Sequence, residues 1–207
     1  MQIINFPQGS QEWLDARLGV ITASKFGAAT AKLKSGAPAA VATDYAQQLA
    51  YERVLLAPAD IVVSSAAMRR GSELEPAARR WYESQTGEIV EQTGLILSDC
   101  GTFGYSPDGL VGEDGAIEIK CPLGKQFLAA ITAEDWSDYL HQVQGGLWLT
   151  GRKWCDLIIY TDGGGGRGYI ARIMRDEAFI AKLAEDLAAF NSIIEELKTK
   201  LINKIGA

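Results

Sequence analysis

Apolar residues recur along this chain at two spacings. Between residues 176 and 204, Phe179, Leu183, Leu187, Phe190, Ile194, Leu197 and Leu201 return every three or four positions, which predicts one long amphipathic helix. The same period predicts shorter helices upstream. One opens at Ser10, carries Trp13, Ala16 and Arg17 on neighbouring turns, and ends at Gly19. A second, 25–31, is capped by Thr22 or Ser24. A third, 44–56, turns Tyr45, Leu49 and Val54 inward and is closed by Pro58. A fourth, 72–85, buries Leu74, Ala78, Trp81 and Tyr82 and tolerates Pro76 only in its first turn. A fifth, 133–150, carries Trp136, Leu140, Val143 and Leu147 on its core side.

Short β-prone runs fall at 88–97, with a turn at Thr93-Gly94, and at 102–105, 109–111, 116–120, 154–160 and 168–174. The order is helices, then strands, a helix, two strands and a closing helix. It predicts an α/β fold with a mixed central sheet flanked by helices. No internal repeat is visible. At 207 residues and 47% hydrophobic, the chain is read as one domain, 1–207. No apolar run approaches the roughly 20 residues of a membrane span, and no basic-then-apolar leader opens the chain. No membrane association is expected. Three scattered cysteines, Cys100, Cys121 and Cys155, suggest a reducing cytoplasm and no zinc or iron–sulfur framework. The net charge of -6 argues against a generally basic nucleic-acid coat. It leaves room for a nuclease with acidic metal ligands and a local basic groove.

The chemistry concentrates in Ser106 to Cys121, SPDGLVGEDGAIEIKC. Gly112-Glu113-Asp114-Gly115 is a turn signal between two β-prone runs, so the stretch reads as a hairpin. Along its second strand Ile117 and Ile119 point into a core, while Glu118 and Lys120 share the other face, about 7 Å apart. Pairing brings Asp108 near Glu118. Two adjacent carboxylates repel, and a divalent cation removes the conflict. Mg²⁺ accepts one or two carboxylates together with waters and phosphate oxygens. Lys120 would then orient or deprotonate a water and neutralise charge at a scissile phosphate. The competing reading is a surface hairpin with a solvated Glu–Lys pair.

Other features have two readings each. Ser24 at a helix start with Arg17 close by is either an anion site or ordinary capping beside a surface arginine. Glu75 stands four residues before Arg79, as an exposed helical pair or as a further acid beside the hairpin. His141, the sole histidine, is a ligand or a structural residue, and the Gly163 to Gly166 run is a flexible tip, not a phosphate loop.

Several ordered motifs, taken together, resemble the bacteriophage lambda exonuclease family, the YqaJ-like viral recombinases of the PD-(D/E)XK nuclease superfamily. They are W-x-x-x-R-L-G-V-I-T-A-S at Trp13 to Ser24, G-x-x-x-E at Gly71 to Glu75, S-P-D-G-L at Ser106 to Leu110, E-I-K-C-P at Glu118 to Pro122 and Q-V-Q at Gln142 to Gln144. The resemblance implies a restriction-endonuclease-like fold and a Mg²⁺-dependent 5′–3′ exonuclease, with Mn²⁺ substituting. Such an enzyme digests one strand of linear duplex DNA to leave 3′ overhangs. It implies metal binding by Asp108, Glu118 and the Ile119 carbonyl, water activation by Lys120, an active-site wall completed by Glu75 and Gln142, and a 5′-phosphate held by Arg17, Ser24 and Ser106. It further implies a homotrimeric ring on DNA with 5′-phosphorylated ends, a single-strand annealing protein as partner, and work in the cytoplasm of a bacterial host for a phage or prophage. The rival activities are a PD-(D/E)XK endonuclease and a catalytically silent DNA-binding or assembly subunit. The intact Asp108, Glu118 and Lys120 argue against silence.

Overall fold

Small polar residues start three of the helices. In the computed structural model, which describes residues 1–60 and 65–206, the Ser10 hydroxyl accepts the Trp13 N–H at 3.2 Å and opens α1 (Gln11–Ala16). Ser65 does the same through Met68 for α4 (Ala66–Thr86). Asp176 takes the Ala178 and Phe179 N–H groups at the start of α7 (Glu177–Ile205). The expected cap by Thr22 or Ser24 is absent. A short 3-10 turn, Ala23–Lys25, precedes α2 (Phe26–Ala29), and the two hydroxyls lie 3.5 Å from each other instead. Helix α3 (Ala40–Leu55) starts earlier than its apolar stripe suggested.

Two helix expectations are corrected. Pro76 lies inside α4, not in its first turn, because the Ser65 cap starts the helix at Ala66. The missing N–H of proline is tolerated there while Ala78 and Tyr82, both fully buried, hold the helix onto the sheet. The predicted helix 133–150 begins later, as α6 (Ser137–Thr150), and a helix that was not predicted, α5 (Gly124–Ala133), precedes it. Glu134 takes a left-handed φ of 48° at the break, and the Asp135 carboxylate accepts the Ser137 N–H at 2.9 Å. That local bond competes with helix continuation.

The strands form two sheets. One holds β1 (Gln2–Ile4), β4 (Leu95–Leu97), β5 (Phe103–Tyr105) and β2 (Ile21–Thr22) in that spatial order. The other runs β3 (Val90–Glu91), β6 (Gly109–Val111), β7 (Gly115–Lys120), β8 (Trp154–Thr161), β9 (Arg167–Met174). The run 88–97 was expected as one strand with a turn, and it is divided between the sheets. Gly94 sits at the division, where a Cβ would fall 2.0 Å from the Ile4 carbonyl oxygen. Strands β7 and β8 are parallel and the other pairs of this sheet antiparallel, so the sheet is mixed as expected. The parallel pair requires a crossover, which α5 and α6 supply.

Helix α4 covers one face of the five-stranded sheet, packing Ala78 and Tyr82 on Ile117, Ile119 and Ile158. Helix α6 covers the other, with Val143 and Leu147 on Ala116 and Cys155. A Cβ on Gly145 or Gly146 would meet the Phe26 ring at 2.3 Å or the Tyr105 ring at 2.6 Å. Two glycines therefore let α6 settle close to α2 and β5. The stripe read on α7 buries Leu183, Leu187, Phe190 and Ile194 against Tyr45 and Leu49 of α3.

Candidate active site

The hairpin pairs Gly109 with Ile117, which sets Asp108, one residue earlier, opposite Glu118. Strand β7 outlasts β6. Glu118, Ile119 and Lys120 have ladder partners only on β8. The Ile119 N–H that a longer β6 would take is accepted by Asp108 Oδ2 at 2.6 Å. N–H and C=O of one strand residue face the same neighbour, so the Ile119 carbonyl opens toward this end of the hairpin too.

Glu118 is 3% exposed, which excludes the solvated Glu–Lys pair. Its Oε1 accepts from Lys120 Nζ at 2.8 Å and from Gln142 Nε2 of α6. Lys120 Nζ also donates to Gln142 Oε1 at 3.0 Å. Glu118 Oε2 is buried and has no partner. Gln144, two residues along the same helix, turns away. It donates to the Met174 carbonyl and accepts the Asp176 N–H, fixing the start of α7.

The electrostatics follow from crowding. Burial, then the charges of Glu118 and Glu75, push the Asp108 carboxyl well above the usual carboxylate range, against the Ile119 N–H and Lys120. Burial also raises Glu75, against Arg79. Burial pulls the Lys120 ammonium down, but contact with Glu118 and the charge of Asp108 push it up further, and the net shift is upward. Lys120 therefore stays protonated beside the carboxylates. Arg79 is nearly buried, not the exposed partner expected. It pairs with Glu75 Oε1 at 2.6 Å and donates to the Asp108 carbonyl through Nε at 3.2 Å and Nη2 at 3.0 Å. Sequence reading saw its spacing from Glu75 but not its grip on the Asp108 backbone.

A cavity of about 130 Å³ brings together Arg17, Ser24, Ser106, Asp108, Glu118 and Gln142. Ser106 Oγ is buried there without a partner. The Arg17 guanidinium lies 4.1 Å from the Trp13 ring centre. No carboxylate pairs with it among the described residues; burial lowers its pKa and only the Tyr45 hydroxyl opposes the shift. Glu75 does not reach this cavity. It lines an adjoining groove of about 560 Å³ that meets the cavity at Gln8 and Asp108.

Helix α3 holds the segment between Arg17 and Ser24 from behind. Glu52 Oε2 accepts the Gly19 N–H at 2.9 Å, Arg53 Nε donates to the Gly19 carbonyl at 2.8 Å, and the Tyr45 hydroxyl accepts the Thr22 N–H at 3.2 Å. Gly19 has φ +70°, and a Cβ there would lie 2.6 Å from Arg53 Cγ. Nothing in the sequence pattern marked Tyr45, Glu52 or Arg53 for this work, because the contacts span more than twenty residues.

Among the described residues no cluster of three or more His, Cys, Asp or Glu side chains surrounds a common point. A cation here would have two carboxylates, the Ile119 carbonyl, waters and a phosphate, a hard-oxygen set of the kind Mg²⁺ uses. The orphaned Glu118 Oε2 fits that role. His141 belongs elsewhere, edge-on to Phe179 with ring centres 5.3 Å apart. The Gly163–Gly165 tip also lies apart from the cavity. Among the described residues no helix is long and apolar enough to cross a membrane.

The model of the YqaJ-like viral recombinase domain matches residues 12–153. No curated protein sequence matches the chain. Among solved structures, an alkaline exonuclease (LHK-Exo) from Laribacter hongkongensis is 38% identical over 95% of this chain and 98% of its own, with a TM-score of 0.84. The structure of LHK-Exo in complex with dAMP gives 0.85 over the same shares. A phage related exonuclease from Haemophilus somnus 129PT, 16% identical over 88% of this chain and 96% of its own, has a TM-score of 0.68 and shares the fold.

Proposed function

The chain belongs to the YqaJ-like viral recombinase domain family and has the PD-(D/E)XK-like nuclease fold of alkaline exonucleases, and from that premise we propose that it is a divalent-metal-dependent 5′–3′ exonuclease. It digests one strand of linear duplex DNA, beginning at a 5′-phosphorylated end, and leaves 3′ overhangs for recombination by single-strand annealing. One observation carries this reading. A single small cavity collects an arginine without an acidic partner, a buried hydroxyl without a partner, and a buried carboxylate oxygen without a partner. Buried polar atoms are ordinarily satisfied. These three kinds of group are complemented by a phosphate and a cation.

In this reading Asp108, Glu118 and the Ile119 carbonyl hold the metal. A divalent cation bound there would polarise a phosphoryl oxygen and lower the pKa of water. Gln142 and Lys120 together occupy Glu118 Oε1, which leaves Oε2 buried without a partner in a residue that lines the cavity. Lys120 keeps its proton, so its contribution is positive charge toward the phosphoryl oxygens as negative charge builds on them. Arg17, Ser24 and Ser106 take the terminal phosphate, which carries more charge than an internal diester and suits an arginine fork. Anchoring that end sets the next diester in register with the carboxylates and gives the enzyme its direction. Glu75 acts from the adjoining groove. Following the resemblance, the proposal extends to a homotrimeric ring and to an annealing protein as partner. Light scattering that gives a monomer mass at micromolar concentration would remove the ring from the proposal.

The test compares initial rates on linear duplexes labelled on one strand and ending in 5′-phosphate or 5′-hydroxyl. Digestion should need Mg²⁺, stop with EDTA, run from the 5′ end and favour the phosphate. Arg17→Ala should lose most on phosphorylated ends. Equal slowing on both ends, or wild type without phosphate preference, makes Arg17 an ordinary arginine and the polarity mechanism wrong.

A further inference from the structure

Tyr105 lines the small cavity together with Asp108, Glu118 and Gln142. It is 2% exposed and ends β5, the strand that leads into Ser106 and Asp108. Its backbone belongs to the four-stranded sheet, paired with Ile96, while its side chain reaches Glu118 of the other sheet. Helix α6 makes room for the ring. A Cβ on Gly146 would lie 2.6 Å from ring atoms Cε1 and Cζ, the end that carries the hydroxyl. Gly146 stands four residues after Gln142, so the two share one face of the helix. Gln142 grips Glu118 Oε1 from that face, and the Tyr105 hydroxyl enters one turn along.

Burial, then the charges of Cys155, Glu118 and Asp108 and the pull of the Glu118 carboxylate as an acceptor, push the Tyr105 pKa well above that of a free tyrosine. The hydroxyl is therefore a donor and not a base. Glu118 has a use for such a donor. Lys120 and Gln142 both hold Oε1, and Oε2 accepts from no group. A carboxylate held through one oxygen can swivel about it, and swivelling would carry the other oxygen away from a cation shared with Asp108. An ionised carboxylate has about four lone-pair sites, so it can take a cation and several hydrogen bonds together. Side chains that fix metal ligands in this way act on affinity without touching the metal.

Resting on the exonuclease reading above, we propose that Tyr105 is a positioning residue for the cation site: its hydroxyl donates to the Glu118 carboxylate and stops it swivelling, so that Asp108 and Glu118 meet one cation. Gly146 belongs to the same device, since a side chain there would push the ring from its place.

The test is calorimetric titration of the DNA-free protein with Mn²⁺, run beside the Mg²⁺ dependence of cleavage. Tyr105→Phe keeps the ring and removes the hydroxyl. It should weaken Mn²⁺ binding by roughly ten- to a hundredfold, the range for residues that orient metal ligands. The Mg²⁺ concentration for half-maximal cleavage should rise by the same factor, and the rate at saturating Mg²⁺ should return to that of wild type. The preference for 5′-phosphate over 5′-hydroxyl ends should be unaltered. Gly146→Ala keeps the hydroxyl but displaces the ring, and should weaken Mn²⁺ binding in the same direction. A Tyr105→Phe protein that titrates like wild type overturns the proposal, whatever its melting temperature. So does a fall in the saturated rate with an unchanged titration. If Tyr105→Phe does not fold, a natively folded Gly146→Ala with wild-type Mn²⁺ binding overturns it as well. Glu118→Gln separates the two failures: if it too binds Mn²⁺ like wild type, the cation site of the exonuclease reading falls with Tyr105, and if it loses binding while Tyr105→Phe does not, Tyr105 falls alone.

Discussion

Two carboxylates sit on neighbouring strands of the five-stranded sheet at nearly equal depth, Glu118 at 3% exposure and Asp156 at 1%. Register places Ile117 beside Asp156 and Glu118 beside Leu157, so the two acids face opposite sides of the sheet. Asp156 is closed. Arg172 meets it through Nε and Nη2, each at 2.8 Å, and the Tyr82 hydroxyl donates at 2.8 Å, so both oxygens are engaged. The bond to Asp156 raises the Arg172 pKa further, and burial with Asp156 beside it keeps Tyr82 protonated. Glu118 is open. One oxygen holds Lys120 and Gln142, and the other holds nothing. A second acid, Asp108, is pressed against it. A buried acid with both oxygens engaged serves the fold, and one left with a free oxygen beside a like charge serves a ligand.

The comparison is broken most severely by exchanging the roles. Glu118→Gln or Asp108→Asn should cut the cleavage rate by about a thousandfold or more, in the range seen when one preorganised charge-stabilising group is lost. The circular dichroism spectrum should stay native. Asp156→Ala should do the reverse. It strands Tyr82 and unpairs Arg172 at a cost of about 3 kcal/mol, reduced by the half-exposure of Arg172, with turnover per folded molecule unchanged. Urea midpoints and active-site-normalised rates read the two effects separately. A destabilised Glu118→Gln with normal turnover would reverse the assignment.

A smaller effect comes from the cation itself. Ca²⁺ should raise the melting temperature of the wild type by several degrees, since a ligand bound only to the folded state stabilises it. Asp156→Ala should keep that increment and Glu118→Gln should lose it. Without metal, Asp108→Asn should melt no lower than wild type, because the substitution removes a repulsion among buried acids. Equal increments in all of these proteins would place the ion elsewhere.

Arg79 should give an intermediate loss. It shapes the loop carrying Asp108 without reaching the small cavity. Arg79→Lys cannot reproduce two bonds to one carbonyl while pairing with Glu75, and a drop of about ten- to a hundredfold in rate is expected, as for residues that orient metal ligands. The phosphate preference should persist. If that preference collapses together with the rate, the two cavities are not independent.

Which of these parts could be read from residue order depends on how local each is. The hairpin was legible because turn chemistry and two-residue alternation fix Asp108 opposite Glu118 within eleven residues. The long stripe of α7 and the Ser10 cap were legible for the same reason. Helix α5 was missed and α6 was begun at 133, because the local Asp135 bond to the Ser137 N–H that sets the start of α6 leaves no mark in the apolar rhythm. The division of 88–97 between two sheets was missed because strand pairing is decided by distant partners, here β1 and β6. Arg79 and Gln142 were placed in the right neighbourhood, one by spacing and one by motif. Their bonds to Asp108 and Glu118 depend on how α4 and α6 land on opposite faces of the sheet. The closed Asp156 network was not foreseen, since an isolated Asp in an apolar strand says nothing of its partners.

The smallest expected effect tests how the open site is held in shape. Arg17 and Ser24 flank a segment gripped at Gly19 by Glu52 and Arg53 and at Thr22 by Tyr45. None of the three gripping residues lines the small cavity. Arg53 also reaches Asn191 at 2.7 Å and Glu195 at 2.9 Å on α7, so the grip is tied to the longest helix. Arg53→Lys keeps the charge but cannot hold Gly19, Asn191 and Glu195 at once. The segment should then shift by a fraction of an ångström, enough to loosen the phosphate and too little to disturb Glu118, which hangs from a different strand. The expected result is a rise of a few-fold in KM on 5′-phosphorylated ends, no change in KM on 5′-hydroxyl ends, and an unchanged maximal rate, corresponding to about 1 kcal/mol of binding. A fall in maximal rate equal on both ends would mean that α3 supports the whole site and not the end-recognising half. No change on either end would mean that Glu52 and Tyr45 hold the segment without Arg53, and Glu52→Ala then becomes the decisive variant.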